Sequence, residues 1–404
     1  MDRRDFGKAF VGGAAGAGIG LAGAGGIAGP AQAASPATDS AFRVLPDLPV
    51  RRNDKIHSGG DYHSQAGKEF TDQVSLDYFR RFNALHLTCM AHTAAKPTEM
   101  SEFPHFGGFL NADGPWDGDQ LKRMQDDCQK AGMELEGVRM DSAFIIMKDG
   151  PVREKYLDII RNNIRKAGAA GASLVSYHWT ATPIRRNFNA PGRGGATYTG
   201  YKLEPDYKDM PPTKAAGILK LDEYWERIDY FLKGVLPACR EAKVRLACHP
   251  YDPGGQPMGY LGVDNWDAGD YAAALKKYVT IVDDHYNALC YDCGVAGESL
   301  PDPNSQLSLI RWLSERGKIA QVHFRNVRGH QHNFIEVYED EGDVNMFNCL
   351  RVLRDTGFAG TLLPDHNPSH PDDPKKLQAY GFSYGYIEGL LRAAKEEAIR
   401  VTKA

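Results

Sequence analysis

The sequence predicts a (β/α)8 TIM barrel, an α/β fold in which eight parallel strands alternate with helices. Amphipathic helical segments repeatedly end at a glycine, and a β-rich run begins within a few residues. Four of the later β-rich runs each stop at a potential metal ligand: His249, Asp292, His323 or Asp365. These residues are 43, 31 and 42 positions apart, close to the length of one strand-helix unit. Since the carboxyl ends of all strands meet at one rim of a barrel, we expect the four side chains to share that rim.

The first 33 residues are predicted to be a twin-arginine export signal. Arg3-Arg4-Asp5-Phe6-Gly7-Lys8 precedes a Gly/Ala-rich apolar stretch, and Ala31-Gln32-Ala33 offers a small-residue cleavage site. An uncleaved membrane anchor is the alternative, because residues 9 to 29 are long enough to span a bilayer. The small residues favour cleavage, so we expect a periplasmic or secreted protein that begins near Ala34 and whose export partner is the twin-arginine machinery.

Charge and length limit the class of protein. The segment 1–33 carries three basic and two acidic side chains, so its removal changes the net charge from −4 to −5. Nothing this acidic is typical of a nucleic-acid-binding protein. With 42% apolar residues and no Ser/Pro/Gly linker, residues 34–404 are predicted to form a single barrel domain, and a homo-oligomer is compatible with the sequence.

The seven cysteines are not arranged as a disulfide scaffold. Their number is odd, and they are scattered through predicted strands and helices. Cys290 and Cys293 have C-x-x-C spacing, but no second pair with that spacing completes a zinc site. Buried packing is the interpretation that we favour for these thiols.

Helices are predicted where apolar residues recur at intervals of three and four. From Val152 to Gly168, for example, Tyr156 and Ile160 lie on one apolar face, and Gly168 is expected to end the helix in a left-handed conformation. The other predicted helices cover residues 118–130, 221–241, 268–283, 305–316 and 344–356. The eight predicted strands cover residues 55–57, 84–88, 133–139, 172–177, 244–249, 288–292, 320–326 and 361–364.

An open, doubly wound sheet is the alternative fold, but no G-x-G-x-x-G motif follows the first strand. The segment from Thr180 to Lys220 is predicted to be a structureless insertion of about 40 residues that overhangs the barrel mouth. Its arginines favour a lid over a disordered loop, and Arg185 is expected to reach the substrate.

Several motifs in the C-terminal half resemble those of mannonate dehydratases. They are His323-Phe324-Arg325-Asn326-Val327, Gly342-Asp343-Val344-Asn345-Met346 and Pro364-Asp365-His366, with His249-Pro250 and Asp252-Pro253 upstream. The resemblance runs from about Arg139 to Leu391. It implies a xylose-isomerase-like barrel, a divalent ion such as Mn²⁺ (Fe²⁺ being possible), and removal of water from a small sugar acid to give a 2-keto-3-deoxy acid.

The resemblance also assigns roles to residues. It makes His249, His323 and Asp365 metal ligands and His366 the candidate acid-base. Either Asp292 or Cys293 supplies the fourth ligand, and the alignment favours Asp292. The chain departs from the family after Pro364-Asp365-His366, where Asn367-Pro368-Ser369 replaces a Gly-Arg.

Three further residues are expected to contact the substrate. Arg325 has the forked donors that pair with a carboxylate, although it can equally bridge neighbouring loops. His178 ends the fourth strand and can form an aromatic platform for a sugar. The family uses a tyrosine near its C-terminus, and Tyr380 is the nearest counterpart together with Tyr384. Glu336 and Glu339-Asp340-Glu341, by contrast, are predicted to form a solvated acidic turn.

Two other functions are compatible with the sequence. The same barrel and ion support isomerisation or epimerisation of neutral sugars, and the missing Gly-Arg favours that alternative. A non-catalytic sugar-binding protein on the same barrel is the second alternative, which the intact set of ligand types argues against.

Overall fold

The fold is described by a computed structural model that covers residues 50–51, 53–92, 114–140, 149–213 and 216–403. The predicted export signal at residues 1–33 lies outside these ranges. Within them, eight parallel strands form a closed barrel. Its strands are β1 (Ile56–Gly60), β2 (His86–Met90), β3 (Glu134–Arg139), β4 (Leu174–His178), β7 (Arg245–His249), β8 (Asn287–Asp292), β9 (Ile319–His323) and β12 (Gly360–Leu363). Closure is made by β12 pairing with β1, and the predicted TIM barrel is confirmed.

The helices pack outside the strands. They are α1 (Gln73–Arg81), α2 (Gly118–Lys130), α3 (Pro151–Ala170), α4 (Leu221–Ala242), α5 (Tyr271–Ile281), α6 (Cys293–Ser299), α7 (Gln306–Glu315), α8 (Met346–Thr356) and α9 (Leu377–Lys403). Six were predicted, and α1, α6 and α9 were not. Helix α6 is short and buried all round, so it has no amphipathic period to detect. Helix α9 contains Gly381, Gly385 and Gly389, which disfavour a helix on propensity alone.

The predicted end of α3 is wrong. The helix continues past Gly168 to Ala170, and Gly171 is the residue with the left-handed backbone, at φ 97°. Gly168 serves a different purpose, because a Cβ atom there would lie 2.6 Å from the carbonyl oxygen of Ala242. The glycine therefore lets α3 and α4 pack closely.

The segment Thr180–Lys220 is not structureless. It contains β5 (Phe188–Pro191) and β6 (Thr197–Lys202), which join β10 (Asn326–His330) and β11 (Asn333–Val337) in an antiparallel sheet of order β10-β11-β6-β5. The predicted strand 320–326 accordingly divides into β9 and β10. Because β10 begins shortly after the end of β9, this second sheet lies at the carboxyl ends of the barrel strands.

All seven cysteines are buried and free, in agreement with the interpretation of these thiols as packing residues. Among the described residues, no helix is both long and apolar enough to cross a membrane.

Candidate metal centre at the barrel mouth

The four predicted ligands come together. His249, Asp292 and His323 are the last residues of β7, β8 and β9, and Asp365 follows the end of β12 by two positions. The register aligns Asp292 with His323 on neighbouring strands. All four side chains are buried, and one ligand atom from each lies within 4.8 Å of the others. We refer to these four residues as the upper site.

Each histidine directs one ring nitrogen toward the carboxylates of the upper site. His249 Nδ1 lies 2.7 Å from the carbonyl oxygen of Pro250, which can only accept a hydrogen bond, and Nε2 lies 3.1 Å from Asp292 Oδ2. In the neutral ring the proton stays on Nδ1, so Nε2 can bind a cation. His323 Nδ1 is buried and faces both carboxylates of the upper site. It lies 3.4 Å from Asp365 Oδ2 and 3.7 Å from Asp292 Oδ2. This arrangement of donors fits a divalent cation.

Asp292, and not Cys293, is the fourth member of the cluster. Asp292 Oδ1 caps helix α6 by accepting from the backbone N–H of Val295 at 2.7 Å, which leaves Oδ2 to face the imidazoles. The pKa of Cys293 is raised well above its ordinary value by a hydrogen bond with the Cys349 thiol and by burial. The Cys293 thiol is thus paired with Cys349 and is not among the clustered ligand atoms.

Arg325 is surrounded by carboxylates of the protein itself. Its side chain is 1% exposed, and Nε lies 2.9 Å from Asp292 and 3.2 Å from Asp365. Its terminal nitrogens lie within 3.6 Å of Asp252, Glu298 and Glu336. The sequence was compatible with two roles for Arg325, binding of the substrate's carboxylate and bridging of neighbouring loops. These contacts favour bridging, because the guanidinium holds the acidic side chains of the upper site in place.

The upper site and its surroundings are rich in carboxylates. Burial alone would raise the pKa of Asp292, but Arg325 and His249 hold it below its ordinary range. The pKa of Glu298, in contrast, is raised well above its ordinary value by burial and by Asp252. The carboxylates of Asp252, Asp292, Glu336 and Asp365 lie against the guanidiniums of Arg186 and Arg325, and those of Glu336 and Asp365 also lie against His366. Such a group of oxygen and imidazole donors suits a divalent cation.

The predicted acid-base, His366, is oriented by Glu336. His366 Nδ1 lies 2.5 Å from Glu336 Oε1, so Nε2 is directed to the other side and lies 3.8 Å from Asp365 Oδ2. Burial lowers the pKa of His366, but Asp365 and Glu336 raise it to a net value above the ordinary one. The prediction that Glu336 belongs to a solvated turn is wrong, because it is 4% exposed and accepts hydrogen bonds from Arg186 and Thr199.

A second carboxylate-histidine pair, Asp61 and His63, was not predicted from the sequence. His63 Nδ1 lies 2.6 Å from Asp61 Oδ1 and 3.5 Å from Asp365 Oδ1. Its ring is 5.9 Å from the ring of His366. Asp61 and His63 lie just after β1. The predicted end of that strand at His57 is three residues before its actual end at Gly60. The signal was Asp61-Tyr62-His63, directly after the two glycines that end β1.

The predicted substrate-contacting residues have other partners in the described structure. His178 is buried against Arg139 and packs edge-on against His249, with ring centroids 4.4 Å apart. Tyr380 donates to the backbone carbonyl of Asp365 at 2.6 Å and so supports a ligand. Arg185 pairs with Glu204 at 3.1 Å, whereas its neighbour Arg186 reaches Asp252 and Glu336 at 2.7 Å each.

A cavity of about 500 Å³ lies next to His63 and Tyr380, two residues that contact Asp365. His63, Lys375, Lys376 and Tyr380 are among its lining residues. Two lysines at its wall make this cavity suitable for an anionic ligand, and His63 links it to Asp365.

Comparisons with known proteins support the family indicated by the motifs. A family model described as D-mannonate dehydratase (UxuA) matches residues 213–400. A mannonate dehydratase of Streptococcus pneumoniae is 24% identical over 340 residues, which cover 73% of this chain and 89% of that protein. One from Enterococcus faecalis is 26% identical over 328 residues, covering 70% and 88%. The resemblance read from the motifs is confirmed.

Solved structures support the fold. The crystal structure of mannonate dehydratase from Streptococcus suis serotype 2 matches with a TM-score of 0.67 at 21% identity, covering 85% of this chain and 96% of that one. A xylose isomerase domain protein from Alicyclobacillus acidocaldarius matches with a TM-score of 0.54 at 13% identity, covering 84% and 99%. The xylose-isomerase-like type of barrel is confirmed.

Proposed function

We propose that this chain, a relative of the mannonate dehydratases, is a metal-dependent hydro-lyase that converts a D-mannonate-like sugar acid into a 2-keto-3-deoxy acid. The observation that carries the proposal is the upper site, where four buried ligands lie beside two carboxylate-histidine pairs. Relatedness supplies the reaction class, and the geometry supplies the groups that the reaction needs.

The reaction requires one proton to be removed and one hydroxyl to leave. The C2–H bond breaks, the hydroxyl at C3 departs with an added proton as water, and the resulting enol tautomerises to the 2-keto acid. A bound divalent ion stabilises the negative charge that develops on the substrate during proton removal. Two imidazoles and two carboxylates suit Mn²⁺, with Fe²⁺ as the alternative.

His366 and His63 are suited to the two proton transfers. Each has Nδ1 held by a carboxylate, Glu336 for His366 and Asp61 for His63. Such a hydrogen bond fixes the tautomer of the imidazole and leaves Nε2 to exchange protons with the substrate. We assign removal of the C2 proton to His366 and protonation of the leaving C3 hydroxyl to His63.

The substrate's carboxylate is assigned to the lysines of the adjoining cavity. Arg325 is occupied by protein carboxylates and Arg185 by Glu204. Lys376 lies close enough to Glu336 and Asp365 for both carboxylates to affect its pKa, which burial nevertheless lowers. Its ammonium donates to the backbone carbonyl of Asn367 at 2.8 Å, and its remaining protons can bind an anion.

Export by the twin-arginine pathway belongs to the same proposal and rests on residues 1–33. Twin-arginine export carries folded proteins, so a metal bound in the cytoplasm can cross the membrane with the protein. Fractionation of cells that produce the chain with Arg3→Lys and Arg4→Lys tests this part. Retention of the variant in the cytoplasm is expected, and unchanged distribution would contradict it.

The experiment that tests the enzyme is an assay of the Mn²⁺-loaded chain with D-mannonate and with D-gluconate, following 2-keto-3-deoxy acid formation. Product from one of the acids is expected. Isomerisation of neutral aldoses or ketoses without such product would favour a sugar isomerase or epimerase instead. That second candidate is favoured by Asn367-Pro368-Ser369, since Asn367 is buried against Ser383 and the tripeptide supplies no arginine.

A further inference from the structure

A second group of metal-ligand side chains lies at the amino-terminal end of the barrel. His57 is the second residue of β1, His86 is the first of β2, and Glu136 is the third of β3. The three strands are neighbours in the barrel. The ligands of the upper site stand at or beyond the carboxyl ends of their strands, so the two groups belong to opposite ends of the barrel. We call these three residues the lower site.

The three donor atoms lie at distances that suit a shared ion. Glu136 Oε2 is 2.7 Å from His57 Nε2 and 3.1 Å from His86 Nδ1, and all three donors lie within 4.8 Å of one another. Two ligands bound at 2.0–2.1 Å around a tetrahedral ion stand about 3.3 Å apart. Small side-chain adjustments are therefore enough to place the donors around a metal.

The hydrogen bonds around the lower site direct Nε2 of His57 toward the shared carboxylate. His57 Nδ1 lies 3.0 Å from the carbonyl oxygen of Lys55, which can only accept, and Nε2 lies 2.7 Å from Glu136 and 3.1 Å from Thr361 Oγ1. The proton that Nε2 shares with Glu136 is the one that a metal ion would displace. A backbone carbonyl holding the distal nitrogen is the usual support of a metal-binding imidazole. His86 Nδ1 faces the same carboxylate at 3.1 Å.

The site is open enough for an ion to enter. The side chains of His57 and His86 are 29% and 30% exposed, whereas Glu136 is 11% exposed. Glu134 approaches His86 Nδ1 to 3.8 Å at the rim of the group. An ion held by the three inner donors would therefore keep a coordination position for water or for Glu134.

We propose that His57, His86 and Glu136 form a second divalent metal site that binds Zn²⁺ or a similar nitrogen-preferring ion. Two imidazoles with one carboxylate are a common zinc ligand set, in contrast to the carboxylate-rich upper site. An ion here cross-links three consecutive barrel strands. Its role is to stabilise the fold, because the active sites of such barrels lie at the opposite end. This inference does not depend on the proposed dehydratase activity.

Metal counting on the full chain tests the proposal. The protein is stripped with a chelator, incubated with Zn²⁺, desalted, and measured by elemental analysis. Two zinc ions per chain are expected for the wild type and one for His86→Gln or His57→Gln. The control His285→Gln changes an exposed histidine that belongs to neither site and is expected to keep two. Circular dichroism verifies that each variant is folded.

A ligand-specific readout separates the two sites. In His249→Gln, which disables the upper site, the remaining zinc is expected to show two imidazoles and an oxygen by X-ray absorption spectroscopy. The thermal unfolding midpoint of this variant is expected to rise on zinc addition, and the rise should vanish when His86→Gln is added. Retention of two zinc ions by folded His86→Gln and His57→Gln, or no zinc in folded His249→Gln, would overturn the proposal.

Discussion

The two ends of the barrel gather the same residue types in different ways. At the carboxyl end, four buried ligands are embedded among further carboxylates and two arginines. At the amino end, two half-exposed histidines share one carboxylate. The upper site has a neighbouring cavity and imidazoles that are oriented by carboxylates, as the proposed chemistry requires. The lower site joins neighbouring strands.

The difference shows that a set of ligand types does not by itself indicate catalysis. What distinguishes the upper site is the set of residues around its ligands. Glu336 and Asp61 orient imidazoles, and Tyr380 holds the backbone of Asp365. The following experiments test the contrast between the two ends, in order of decreasing expected effect.

Asp365→Asn should give the largest effect, because it removes a charged ligand from the upper site. We expect loss of one bound metal ion and of dehydratase activity. Cys293→Ser is the matched control, since its thiol faces Cys349, and should retain both. Elemental analysis and the 2-keto-3-deoxy acid assay measure the two quantities. Loss of metal in Cys293→Ser with retention in Asp365→Asn would show that the ligand assignment is wrong.

His366→Gln should reduce kcat by about 10²–10⁴-fold, the usual contribution of a general acid-base group, with unchanged metal content. Solvent deuterium exchange at C2 of the substrate separates the two histidines. His366→Gln should lose exchange, whereas His63→Gln should retain exchange and lose dehydration. Exchange by His366→Gln at the wild-type rate would refute its assignment as the base.

Arg185 and Arg186 are adjacent in the sequence, but their substitution by Gln should affect catalysis to different extents. Arg186 holds Asp252 and Glu336 behind the upper site, so its loss should lower kcat/KM by about 10–100-fold, as for other groups that orient metal ligands and their partners. Arg185 pairs with Glu204 and should matter little for catalysis. Equal losses in both variants would mean that the whole second sheet, and not the Arg186 contacts, supports activity.

Glu136→Gln at the lower site should affect stability and not turnover. Burial raises the pKa of the Glu136 carboxyl, but its hydrogen bonds with His57 and His86 lower the net value to about 2. The resulting stabilisation of the fold is present above about pH 4.3, the pKa of a glutamate in the unfolded chain, and is lost as the pH falls toward 2. Burial lowers the pKa of His57, but Glu136 raises it to a net value above the ordinary one. That contribution is full below about pH 6.5 and is lost as the pH rises through the folded value.

In metal-free protein, Glu136→Gln should therefore cost about 2 kcal/mol of unfolding free energy near pH 5.5, and less at either extreme. Urea unfolding at several pH values measures this. Glu134→Gln, which changes a half-exposed neighbour, should cost much less. A cost that stays constant from pH 3 to pH 9 would show that packing, and not charge, holds the lower site together.

The barrel and the upper ligands could be predicted because the relevant signals are local. Each strand is a short apolar run, and each ligand stands at or just beyond its end, so closure of the barrel brings the ligands together. The choice between Asp292 and Cys293 depends on the start of α6 at Cys293. Successive side chains of a helix point about 100° apart, so the two residues cannot face the same site. The start of α6 leaves no mark in the hydrophobic pattern.

The missed residues depend on contacts between distant segments. Glu336 looks like part of an acidic turn, yet pairing of Phe334 with Tyr201 in the second sheet brings it to Arg186 and His366. Pairing across more than a hundred residues is set by packing, which no local pattern contains. The same holds for His57, His86 and Glu136, which are unremarkable singly and meet only because β1, β2 and β3 are adjacent.

The sequence by itself determined the strand-helix alternation, the candidate ligands of the upper site and the family resemblance, since these are properties of short segments and their spacing. The tertiary structure decided which carboxylates orient His366 and His63, that Arg325 is enclosed by protein carboxylates, and that a second ligand group exists at the opposite end. The physical reason is that burial and electrostatic partnership are properties of the folded neighbourhood, and the chain order does not record them.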